Sequence, residues 1–455
     1  MSDRVCAPCP RGQFTAVANA PACQTTTVIQ LAAGERHTCA LSSDGSLKCW
    51  GGASVGQLGY GNSKTIGDNE LPSSVGSVSV TSLPGVAVKQ IVTGAQHTCA
   101  LLSDDSVRCW GSNNEGEVGL GNASNQVGGP TDQFIGDDEL PSSIAPVSIT
   151  RASGVKAKQL ASGDYHTCAL LSDDTIQCWG LGGDGQLGNG SNQNIGRDEL
   201  PSAVGSISLG LPPGVKVSQI AAGGYHTCAL LSNGTAKCWG NNTVGQLGYG
   251  NTDAYASPSE LGPVSVTTTP GVKVEQIAAG WFHTCALLSD SSVKCWGDAS
   301  CGELGYGDTN LIGDDELPAS AGPVSVTNTP GVKVIRIAAR GPHTCALLSD
   351  GSVKCWGANS LLNACTIATG ELGYGDTETI GDDELPSSLG PISISADPSV
   401  TVAQLALGLR HTCALLSNGA VECWGYGRFG QLGYGNRETI GDDELPSSVG
   451  TISLF

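Results

Sequence analysis

The sequence predicts an all-β chain, a seven-bladed β-propeller of four-stranded blades whose N- and C-terminal strands close the ring, and three observations carry that prediction. The tripeptide His-Thr-Cys begins at His37, His97, His166, His226, His283, His343 and His411. Ten residues after each of these cysteines, a second cysteine is followed by Trp-Gly, at Cys49, Cys109, Cys178, Cys238, Cys295, Cys355 and Cys423, so the frame holds seven of the 8 tryptophans. No segment shows a long 3.6-residue apolar period; short alternating or β-branched runs are bounded instead by Gly, Pro, Asn or Asp. Seven units fall within the roughly four to eight blades of known propellers, and radial closure hides the edges an open array exposes.

In chain order, residues 1–24 stand apart from the repeat, which occupies residues 25–455. The fifth unit shows the expected strands: Val264 to Val266, then Val272 to Ile277, His283 to Ser289 and Ser292 to Trp296. Thr451 to Phe455 matches the strand that precedes Val-x-Gln-Ile elsewhere, and Thr25 to Leu31 supplies its follower, so the last strand is expected to pair with the first. In the first hairpin, the loop Ser43-Asp44-Gly45 sets Cys39 opposite Cys49, where a non-hydrogen-bonded pair brings Cα atoms to about 4.5 to 5.5 Å and suits a disulfide. The same offset pairs Cys99 with Cys109, Cys168 with Cys178, Cys228 with Cys238, Cys285 with Cys295, Cys345 with Cys355 and Cys413 with Cys423. The alternative is fourteen buried thiols acting as small apolar residues; seven matched pairs favour bridges. Cys301 and Cys365 occupy the same loop class in neighbouring units, and the longer loop after Trp356 is expected to carry Cys365 across to a blade-to-blade bridge.

The run His-Thr-Cys-Ala-Leu-Leu-Ser-Asp-Gly-Ser-Val-Lys-Cys-Trp-Gly at residues 343–357, with Gly-Gln-Leu-Gly-Tyr-Gly at 245–250 and 430–435, resembles the repeat of the regulator of chromosome condensation family. The resemblance covers residues 25–455 and implies a propeller. It leaves the activity open, because such propellers include a nuclear guanine-nucleotide exchange factor, a plant ultraviolet photoreceptor and a secreted β-lactamase inhibitor. Intracellular members do not need cysteine at these positions, so the paired cysteines point to an extracellular or cell-surface protein. Cys6, Cys9 and Cys23 stand in a pattern that resembles the edge of the cysteine-rich extracellular modules of tumour-necrosis-factor and ephrin receptors. Three cysteines leave one unpaired, which is expected if its partner lies upstream of Met1 in a longer secreted protein; a zinc site is the weaker alternative, with no nearby His. Sequons at Asn122, Asn189, Asn233 and Asn241 are compatible with that route.

Composition narrows the function. A net charge of -20 argues against a phosphate-backbone binder, no apolar run reaches the length of a membrane helix, and residues 1–24 show no signal-peptide core. Six loops of the type Ile-Gly-Asp-Asp-Glu-Leu-Pro, around Asp68, Asp137, Asp198, Asp314, Asp382 and Asp442, hold 16 of the 42 acids. They are expected on one face as solvated loops capping local backbone amides, with calcium or a basic protein surface as alternatives. The histidines are expected in hydrogen bonds within their own blades, and the framed tryptophans as filling between blades. Gly183-x-Gly185-x-x-Gly188 has no following helix and carries no nucleotide reading, and no catalytic set or resident cofactor emerges.

The informative positions are the two residues between Gly and His, which vary from unit to unit in a nearly fixed frame. They supply the predicted partner-binding residues Arg36, Asp164, Tyr165, Tyr225, Trp281, Phe282 and Arg410, of types favoured at interface hot spots. The alternative for Tyr165, Tyr225 and Phe282 is that they cap the strands beneath them. Arg340 replaces the glycine of the other six units. The resulting expectation is a non-enzymatic, secreted or surface-attached propeller that binds a protein or serves a structural role as part of a larger extracellular assembly. An intracellular guanine-nucleotide exchange propeller and a calcium-dependent adhesion module are the alternatives.

Overall fold

The computed structural model describes residues 13–14, 24–121, 134–359 and 369–455. Of the segment 1–24, Gln13–Phe14 pairs antiparallel with Gln24–Thr25; Cys6, Cys9 and Cys23 lie outside the described residues, as do Asn122 and Cys365. The remainder forms seven antiparallel sheets in chain order. Their middle strands are His37–Ser42, His97–Leu102, His166–Leu171, His226–Leu231, His283–Leu288, His343–Leu348 and His411–Leu416. In the first sheet Val28–Ala33 lies on one side and Leu47–Gly51 on the other. Every residue of these middle and third strands is buried, the polar His37, Thr38 and Lys48 included, whereas the first strand alternates. The hairpin turns at Gly45, whose φ of 81° is open to glycine, and Asp44 Oδ1 accepts from the Ser46 N–H at 2.9 Å. Cys39 therefore faces Cys49, and all seven predicted pairs are disulfides with Cα atoms 4.0 to 4.1 Å apart.

The fourth strand departs from expectation. Ile66 bridges Gly51 and the Val78 N–H donates to the Leu47 carbonyl at 2.8 Å, so one outer edge is split around an excursion containing the 3-10 turn Pro72–Ser74. That edge belongs to the preceding strands: the Val264 N–H donates to Ala236 of the fourth sheet, so Val264 to Val266 does not open the fifth. Likewise the Ile452 N–H donates to the Val421 carbonyl at 2.8 Å, and the C-terminal segment completes the seventh sheet rather than pairing with residues 25–31. The Val-Ser-Val alternation fits either neighbour; the chain resolves the choice by keeping each sheet contiguous.

Successive sheets are joined by buried polar contacts. Each histidine Nε2 meets the Thr hydroxyl of the next sheet, from His37 with Thr98 at 2.9 Å round to His411 with Thr38 at 2.8 Å, which corrects the expected bond within one blade. Each framed indole, fully buried, donates backwards: Trp110 Nε1 reaches the Gln57 carbonyl at 3.0 Å, and Trp50 that of Gln431 at 2.9 Å. Filling and hydrogen bonding between sheets thus fall on the same side chain. A cavity of about 260 Å³ is lined by residues of the first strands of all seven sheets, chiefly alanine.

Candidate functional site

The variable turns lie at one end of the sheets and are stitched by backbone bonds. Glu35 N donates to Ala95, Ala95 N to Asp164, Gly224 N to Gly280, Trp281 N to Gly341, and Leu409 N to Gly34. Three predicted residues form a row across sheets three to five, with Tyr165 and Tyr225 ring centroids 6.1 Å apart and Tyr225 stacked on Phe282 at 5.5 Å. All three are partly exposed. On the other side Arg36 is held by Glu35 at 3.1 Å and lies 4.5 Å over the ring of Phe429, which meets Tyr426 edge-on at 6.0 Å. Arg410 is half-buried near the enclosed carboxyl of Glu371. Phe429 and Tyr426 were not singled out in the sequence because they sit just before the Gly-Gln-Leu-Gly run; the signal was an aromatic pair at positions where no other unit carries an aromatic residue.

Asp164 does not join that surface. Arg340 reaches from the sixth sheet to the second and third, donating to the carbonyls of Thr93 at 2.8 Å and Ser162 at 3.1 Å and pairing with Asp164 at 3.2 Å. The Asp164 side chain is 3% exposed and also accepts from the Trp281 indole, while Arg340 is 12% exposed. Arg340 lines the alanine-rich cavity, and the Trp281 indole is held by the Asp164 carboxylate rather than free. Burial pushes the Asp164 carboxyl up, opposed by Arg340.

The acidic loops sit at the rim of the same end, because Ile66 bridges Gly51 while Gly52 N donates to the Arg36 carbonyl. Each docks on the preceding sheet, as where Gly61 N reaches the Gly136 carbonyl at 3.2 Å and Gly435 N that of Gly67 at 3.1 Å. In four loops three carboxylates come within 4.8 Å of one another, at Asp137-Asp138-Glu139, Asp314-Asp315-Glu316, Asp382-Asp383-Glu384 and Asp442-Asp443-Glu444. The glutamates bend back, and burial with the adjacent aspartate raises Glu139, Glu316, Glu384 and Glu444 to about 7. Burial drives six of the histidines, His37 among them, down to about 3 or 4 and His97 well below its ordinary value, so the imidazoles stay neutral.

Cys301 is disulfide-bonded, with its partner outside the described residues. Asn189 and Asn241 are partly exposed and Asn233 exposed. Among the described residues no helix is long and apolar enough to cross a membrane.

A sequence profile described as the RCC1-like domain matches residues 8–388, and one described as the regulator of chromosome condensation (RCC1) repeat matches residues 402–431. The ultraviolet-B receptor UVR8 of Arabidopsis thaliana is 29% identical over 94% of this chain and 82% of its own length. The probable E3 ubiquitin-protein ligase HERC6 of Homo sapiens is 30% identical over 72% of this chain, which spans only 28% of that protein. Human WBSCR16 superposes with a TM-score of 0.64 at 21% identity, covering 92% of this chain and 95% of that one. Yeast RCC1 (Prp20), solved with Kap60 bound, gives 0.62 at 21% identity over 94% and 85%. At these identities the structural likeness is one of fold.

Proposed function

Because the chain belongs to the RCC1-like domain family, we propose that it is a closed seven-bladed propeller that binds a protein partner through its turn face. It works outside the cell or at its surface, within a larger assembly. The observation that carries this reading is the contiguous row Tyr165, Tyr225 and Phe282, opposed by Arg36 over Phe429, on the one face where the repeated frame varies. Rigid aromatic and arginine side chains give large contact area at low entropic cost, which is why they dominate interface energetics. The seven disulfides support the location, since short bridges of this kind persist where thiols are not kept reduced. Closure is supported by the seam between the last and first sheets, which repeats the His-Thr and Trp contacts of the others.

A photo-crosslinking amino acid at Tyr225 tests the face directly. With extracellular and cell-surface fractions it should capture a discrete protein, and the joint change Tyr165→Ser and Phe282→Ser, made beside the crosslinker, should abolish capture without lowering the melting temperature. The same products from a crosslinker at Ser43, on the opposite hairpin end, would refute the assignment.

A further inference from the structure

One seam is built unlike the other six. In those six a glutamine of the inner strand spans to the next sheet: Gln30 donates to the Ile91 carbonyl at 2.8 Å and accepts from the Ile91 N–H at 2.9 Å. Gln90 does the same with Leu160, Gln219 with Ile277, Gln276 with Ile337 and Gln404 with Leu31, while Gln159 accepts from Ile220 at 3.3 Å. In the sixth inner strand, Val334–Arg340, the position is Arg336. Its counterpart across the seam is Leu405, which stands opposite Ala414 as Leu31 stands opposite Ala40. Since the Leu31 N–H points to the neighbouring sheet, the Leu405 N–H points to Arg336. A guanidinium carries donors and no acceptor, so Arg336 offers that N–H nothing. Among the described residues the Arg336 side chain makes no ion pair or hydrogen bond, and a cavity of about 210 Å³ opens there, lined by Arg336, Leu405, Gln276, Gln404 and the aliphatic Ile337 and Leu347.

We propose that the seam between sheets six and seven is a binding site for a small organic carboxylate. One oxygen accepts the Leu405 N–H in the place a glutamine oxygen takes elsewhere, the other accepts from the Arg336 guanidinium, and the apolar body lies against Ile337 and Leu347. A carboxylate meets both demands at once, because it supplies acceptors to a backbone donor and to a planar cation together. The site lies four residues before Arg340 on the same strand, apart from the turn face, and does not depend on the protein-binding reading.

Equilibrium dialysis with labelled butyrate tests it on the intact, oxidised chain. Wild type is expected to bind one equivalent, and Arg336→Gln to weaken binding at least tenfold while raising the melting temperature, because it restores the glutamine bridge to Leu405. That variant carries the residue of six sister positions and should fold. Equal butyrate binding by the variant, equal binding of uncharged butyramide by wild type, no binding by wild type at about 50 mM, or a lowered melting temperature of Arg336→Gln would each overturn the site. Parallel titration with the tripeptide Gly-Ala-Val, free and C-terminally amidated, assigns the carboxylate: tighter binding of the free peptide than of butyrate indicates a chain terminus, weaker binding a free acid.

Discussion

Ser291 holds a left-handed backbone, with φ at 71°, in the hairpin position that Gly45, Gly234, Gly351 and Gly419 occupy in four other sheets. Asp105 and Asp174 hold the same conformation in two more, at 68° and 67°, and each is clasped by two lysines: Lys89 and Lys156, and Lys158 and Lys216. Ser291 has no such clasp among the described residues. A non-glycine residue in this region costs about 1 to 2 kcal/mol, and glycine returns part of that through a freer unfolded chain. Ser291→Gly should therefore stabilise the protein by about 0.5 to 1 kcal/mol in urea unfolding, with an unchanged denaturant slope; a loss would show the strain is relieved elsewhere. The buried glutamates follow similar logic of place. Glu303 accepts from the Cys301 N–H as Gln57 does from Val55, so a carboxyl occupies a carboxamide's position and burial raises it to about 8.

The inner strand of the sixth sheet runs one residue longer than its sisters and ends in Arg340, whose side chain reaches the second and third sheets. Replacing Arg340 by the glycine of the other six sheets leaves Asp164 charged, enclosed and unpaired, which costs about 3 to 5 kcal/mol. Arg340→Gly should show that loss in thermal unfolding, and adding Asp164→Asn should recover most of it, because asparagine keeps an acceptor for the Trp281 indole. An additive double variant would mean the pair is not coupled. The strands, the hairpins and the seven disulfides were legible in the sequence because they depend on spacing within about twenty residues. The seams were not, because His37 and Thr98 lie 61 residues apart and Arg340 and Asp164 176 apart, and periodicity says which residues are equivalent without saying which touch. The same limit hid the ownership of Val264 to Val266. Of the predicted site residues, Tyr165, Tyr225 and Phe282 come together as a row, whereas Asp164 appeared as a surface acid only because its partner is remote in sequence.

Across the whole molecule, two sets of buried groups pull stability in opposite directions with pH. The histidines, ordinarily near 6.5, fall to about 3 or 4 in the fold, so the unfolded chain binds more protons below 6.5 and stability declines as pH drops through that range. Glu117, Glu303, Glu371 and Glu422, ordinarily near 4.5, rise to about 7, 8, 8 and 7. The folded chain binds more protons there, so stability declines as pH climbs from 4.5 through 8. The melting temperature should peak between about pH 5 and 6.5 and fall on both sides. Glu303→Gln with Glu371→Gln should flatten the alkaline limb only; an unchanged limb would remove those carboxyls from the account.

The central claim is a propeller braced by disulfides and working in an oxidising compartment. It is tested most directly by intact mass of the protein from its native source, alkylated under denaturing conditions before and after reduction, with peptide mapping. The account predicts no alkylation of the seven Cys pairs or of Cys301 until reductant is added. Alkylation of these cysteines without reductant would contradict it, and would return the protein to the reducing interior of the cell, where acceleration of nucleotide release from small GTPases becomes the activity to measure.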